Sequence, residues 1–198
     1  MTPDQDETEH SLEMHLPYIH KILSKTFSKV EHYPKLVPIL VGNTEPETEK
    51  EYGKILAPHL ADPENVFVIS SDFCHWGSRF NYTYYIPEGG EAKILKRRDP
   101  KPTSPKICDS IGKVDRMAMD AIETGKHENF LGNLKETGNT VCGRHPIGVV
   151  MAAVEVLEGE GKVGDGKGRF SFVRYERSSE VEVASESSVS YASAYAVL

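Results

Sequence analysis

Two short runs constrain this chain more than any other feature. Val66–Ile69 reads VFVI and Leu36–Val41 reads LVPILV, and neither alternates apolar with polar residues. A strand that is apolar at successive positions needs cover on both faces, the situation of parallel strands layered between helices. Between the two runs, residues 45–60 carry Tyr52, Ile55, Leu56 and Leu60 at helical spacing, behind Thr44 and Glu47 at the spacing of a capping box. Strand, helix and strand in that order predict a right-handed βαβ unit.

Other segments extend this pattern. Leu12, Leu16, Ile19 and Leu23 form one stripe and predict a helix over 11–28, bent at Pro17. Apolar positions at helical spacing predict helices over 107–123, 127–136 and 146–158, the last opened by Pro146. Residues 79–86 read as extended, and alternation predicts strands over 170–175 and 189–197. The predicted class is α/β: three layers, with a mixed, mostly parallel sheet between flanking helices. A length of 198 residues suits one domain over 1–198. Within it, 87–106 holds four prolines and a cluster of basic residues, and predicts an inserted surface loop.

The net charge of −7 disfavours non-specific nucleic-acid binding. No apolar run approaches the ~18 residues of a membrane span. Three cysteines without a C-x-x-C pair, behind an acidic start that resembles no leader peptide, fit a reducing, cytoplasmic setting. The basic run Lys93–Lys106 keeps a nuclear location open. Oligomeric state is not readable from these features.

Three segments hold the candidate chemistry. Asp72 and His75 follow the VFVI run directly, where a predicted parallel strand would end and a ligand crevice begin. A histidine beside a carboxylate can be an acid–base group or a metal ligand. Alternatively, Asp72 caps a turn and His75 is an ordinary loop residue. Cys142 precedes a helix, a setting that suits nucleophiles and ligands but also ordinary buried thiols. Cys142 and His145 make a C-x-x-H pair, which alone is half a zinc site. His10 and Glu13 share a face of the first predicted helix.

Taken together, EHSLEMHLPY at 9–18, SSDFCHWG at 70–77, CGRHPIG at 142–148 and SSVSYASAYAV at 187–197 resemble the Memo family, named after a mediator of receptor-driven cell motility. The likeness covers the chain from about residue 6 onward, apart from 87–106. It implies a fold similar to class III extradiol dioxygenases and an iron or copper centre built from two histidines and a cysteine. The cysteine matches Cys142; His75 matches the dioxygenase acid–base histidine, with Asp72 its neighbour; His10 and Glu13 match a pair of the first motif. The dioxygenases carry a carboxylate where this chain has Cys142. A soft thiolate favours Cu(I) or tightly held iron or zinc over labile Fe(II) chemistry, so ring cleavage is not expected and catalysis stays open. The family's two metal-binding histidines precede the first motif. The chain is therefore expected to be the C-terminal part of a Memo-like domain, incomplete at its N-terminus. It is expected to hold no metal stably by itself. The resemblance also implies a phosphotyrosine-peptide partner, for which Arg79, Arg144 and His75 could supply positive charge. A cysteine hydrolase using Cys142, His75 and Asp72 is a further alternative.

Overall fold

Strands in the described residues, 2–164 and 166–198 of the computed structural model, are mostly short. They are β1 (His75–Gly77), β2 (Tyr84–Tyr85), β3 (Lys93–Ile94), β4 (Ser171–Arg177) and β5 (Ser187–Tyr195). One sheet has the order β1-β5-β4 and the other pairs β2 with β3, and every pairing is antiparallel. The mostly parallel sheet predicted from the sequence is therefore wrong. The physical reason lies in the connections. The long strands β4 and β5 are joined only by residues 178–186, too short for the crossover of about a dozen residues that parallel neighbours need. Residues 66–69 and 36–41 run outside any ladder, with Val66 89% and Val37 74% exposed. An apolar run becomes a strand only when its amides and carbonyls find a neighbour, and hydrophobicity does not supply one.

The chain forms two units, one up to Asn43 and one over Thr44–Leu198. The first carries α1 (Pro3–Thr8) and α2 (Leu16–Thr26), with short 3-10 turns at Glu13–His15 and Val30–His32. Pro17 sits in the first turn of α2, where a missing backbone donor costs nothing, so it does not bend the helix as predicted. The Glu9 carboxylate accepts backbone N–H groups of Ser11 and Leu12 at 2.6 and 2.9 Å, organising the entry to this turn.

The second unit carries α3 (Pro46–Leu60), α4 (Ile107–Glu123), α5 (His127–Thr137) and α6 (Arg144–Gly159). The stripe Ile107, Ile111, Val114, Ala118 and Ile122 buries one face of α4, as its spacing predicts. Helix α3 differs from expectation. Its buried face is Glu49, Gly53 and Ala57, while Tyr52 and Ile55 are exposed. Close packing against α6 explains this: a Cβ on Gly53 would lie 2.8 Å from Ala152 Cβ, so only small residues fit. The predicted capping box is also absent; Glu45 is the N-cap without a side-chain bond, and Thr44 turns to Glu49. Among the described residues, no helix is long and apolar enough to cross a membrane.

Segment 87–106 is largely irregular around β3. Its Leu95 is buried in a cluster with Trp76, Tyr85, Ile107 and Ile111. The Thr83 hydroxyl donates to the Leu95 carbonyl at 2.7 Å.

Candidate metal centre

Asp72 lies on the connection that leads into β1 and His75 is the first residue of that strand; neither follows a parallel strand. Phe73 N–H donates to Ser190 O at 2.8 Å and Ser190 N–H to Cys74 O at 3.0 Å, so β5 grips the turn before the named strand begins. Cys74 faces inward and its N–H donates to Asp115 Oδ1 at 3.1 Å. Alternation turns His75, the next residue, away from the core around Cys74, and the side chains of His75 and Asp72 are both partly exposed. Thr140 clamps His75 by its backbone, accepting its N–H at 2.7 Å and donating to its carbonyl at 3.2 Å.

Cys142 is brought to this turn by three hydrogen bonds. Its N–H donates to Asp72 O at 3.2 Å, and Asp72 N–H donates to Cys142 Sγ at 3.0 Å. Gly143 N–H donates to Ser71 Oγ at 2.9 Å. A Cβ at position 143 would fall 2.4 Å from Ser70 O, so glycine is required for this approach.

The result is a cluster in which one ligand atom each from Asp72, His75 and Cys142 lies within 4.8 Å of the others. His75 Nε2 is 3.5 Å from Asp72 Oδ2, and this buried nitrogen has no hydrogen-bond partner. Cys142 is exposed. Cys74 is a different kind of thiol: burial, and after it the charge of Asp115, pushes it well above the ordinary range, which keeps it protonated. One thiol, one imidazole and one carboxylate form a donor set able to take a transition metal while leaving a position open.

Arg144 is exposed at the first position of α6. His10 and Glu13 are exposed in the N-terminal unit, Glu13 opening its first 3-10 turn. Arg79 stacks on Phe80 at 4.8 Å, and the Phe80 ring meets His75 edge-on with centroids 5.1 Å apart.

Sequence reading missed two buried carboxylates that hold the segments of the site. Asp115 lies on the apolar stripe of α4, four residues after Ile111, and a lone acid on such a stripe was the available signal. Besides Cys74 N–H, it accepts Asn139 Nδ2–H at 3.0 Å and the Tyr175 hydroxyl at 2.7 Å. Burial, opposed by these bonds, leaves its carboxyl above the usual range. Glu49 lies between two imidazoles, His127 Nε2 at 2.6 Å and His145 Nδ1 at 2.7 Å. Burial alone would raise its carboxyl, but bonds and charge from His127 and His145 outweigh that and lower it. Only the small neighbours Gly53 and Gly148 hinted that position 49 faces another helix.

A family model described as Memo-like protein matches residues 1–195. A MEMO1 family protein of Schizosaccharomyces pombe is 43% identical, covering 99% of this chain and 62% of that protein. Protein MEMO1 of Danio rerio is 44% identical, and that of Homo sapiens 42%, each covering 97% of this chain and 57% of the relative. The chain thus spans about three-fifths of the length of these curated relatives.

Proposed function

The chain belongs to the Memo-like family, and from that premise we propose that Asp72, His75 and Cys142 form a metal centre, for iron or copper, in a protein with a redox or signalling role. The observation that carries this reading is the convergence of three different donors within 4.8 Å, with His75 Nε2 buried and unpaired. An unpaired buried nitrogen costs stability unless a ligand or water satisfies it.

The residues fit such an ion chemically. Thiolate and imidazole are the ligands that select copper, zinc and tightly held iron, and the carboxylate adds compensating charge. Cys142 and His75 would be the strong donors, with Asp72 the oxygen donor or the partner of His75. When bound, the metal would supply one-electron exchange or Lewis acidity at an open position. The chain's own contribution is placement. Thr140 holds the His75 backbone, Asp72 N–H points at the sulfur, and Gly143 allows the two segments to meet.

A second reading keeps the same place but makes it a phosphotyrosine-peptide pocket, as the family resemblance implies. The Arg79–Phe80–His75 stack favours it, since it sets a guanidinium and an aromatic face beside the cluster. Arg144 adds exposed positive charge at the start of α6.

Metal titration followed by elemental analysis tests the first reading. Cys142→Ser and His75→Ala should each lower copper or iron affinity by about tenfold or more, since removing even an outer-shell partner of a metal ligand costs that much. Stoichiometric binding that survives both substitutions would overturn it. Phosphopeptide binding, equal with and without metal and lost in Arg79→Ala, would favour the second reading.

A further inference from the structure

Glu49, on α3, lies where that helix meets α5 and α6.

 

Its carboxylate is 2% exposed, and each oxygen is committed to a different helix. Oε2 meets His127 Nε2 at the start of α5, and Oε1 meets His145 Nδ1 in the first turn of α6. The Thr44 hydroxyl lies 3.3 Å from Oε1 and 3.2 Å from the same His145 nitrogen. A carboxylate only accepts, so both imidazoles present N–H to it. The niche is built for this group. A Cβ on Gly148 would fall 2.3 Å from Glu49 Oε2 and 3.0 Å from His127 Nε2. The Glu155 carboxylate accepts His127 N–H at 3.1 Å, and among the described residues it is the other charged group bonded to this cluster.

His145 follows Cys142 by three residues, on a turn tied to the helix by Arg144 N–H to Val141 O and Ile147 N–H to Gly143 O. Fixing the imidazole therefore fixes the turn that carries the thiol. We propose that Glu49 and His145 are positioning residues for Cys142: they lock the first turn of α6 onto α3 and so hold the sulfur against the Asp72 amide. His127 keeps the Glu49 carboxylate in place from the opposite side. This deepens the metal-centre reading but does not require that the centre binds metal.

Amide hydrogen exchange on metal-stripped protein tests it, and its outcome does not depend on metal binding. The amides of Asp72, Cys142 and Gly143 bond across the two segments, whereas Phe73 N–H bonds to β5. In Glu49→Gln and His145→Ala, the first three should exchange about tenfold faster or more, while Phe73 keeps its rate, as expected of local opening. His145→Asn, whose amide can still donate to Glu49, should restore protection; His145→Gln, with its donor displaced, should not. Equal acceleration at all four amides would make the pair a general stabiliser and overturn the proposal. So would unchanged exchange in folded His145→Ala, the variant to use if Glu49→Gln fails to fold.

Discussion

The two segments of the site rest on two buried carboxylates that behave in opposite ways. Asp115, under the 72–75 turn, accepts a backbone amide, a side-chain amide and a phenol, and its carboxyl is raised. Glu49, under the 142–145 turn, accepts two imidazoles and its carboxyl is lowered. Burial is the leading influence at both and pushes both upward. Neutral donors do not overcome it, whereas donors that can themselves carry charge do. Burial alone thus does not decide the charge of an internal acid; its partners do.

The largest effect should follow from deleting Glu49. Glu49→Ala leaves two imidazoles facing an empty niche and should cost about 3–5 kcal/mol in urea unfolding at neutral pH, the range for breaking a buried pair. Asp115→Asn retains shape and should cost less, about 1–3 kcal/mol, because it mispairs polar groups without stranding charge. Equal losses would erase the distinction between the two anchors.

Acid should produce smaller changes of opposite sign. Glu49 is lowered from 4.5, so its contribution is complete above about pH 4.5 and disappears as pH falls through its folded value. Asp115 is raised from 3.8, so its contribution is greatest below about pH 3.8 and shrinks as pH rises through its folded value. Unfolding measured across the acid range should show Asp115→Asn removing the second dependence and leaving the first. A variant with both dependences intact would refute the assignment. The smallest effect is expected at Tyr175→Phe, which deletes one 2.7 Å bond to Asp115 and should cost about 0.5–1.5 kcal/mol in the same assay.

Much of the second unit was legible because its helices are amphipathic. The stripe of α4 and the apolar run of α6 specify their own burial, and β4 and β5 alternate. Asp72, His75 and Cys142 were legible as motifs and as members of one site, and their ligand atoms lie within 4.8 Å of one another, although the parallel strand expected to carry them is absent among the described residues. The sheet was misread because VFVI and LVPILV report hydrophobicity and carry no information about a neighbour. Helix α3 was misread in part: Leu60 packs on the core as expected, but Tyr52 and Ile55 are exposed, and the buried face carries Glu49, Gly53 and Ala57. Glu49 escaped because a glutamate in a first helical turn looks like a solvated dipole partner until the opposing helix is known.

The stitch between Asp72 and Cys142 has a consequence for time. Its amide–sulfur bond joins residues 70 positions apart, so a large ring of chain must close before the three donors exist as a set. Contacts of such long sequence separation form slowly compared with helices. A nascent or partly unfolded chain therefore carries a lone thiol, a lone imidazole and a lone carboxylate, each of ordinary reactivity. The donor set therefore belongs to the finished fold and to none of its separate helices or strands.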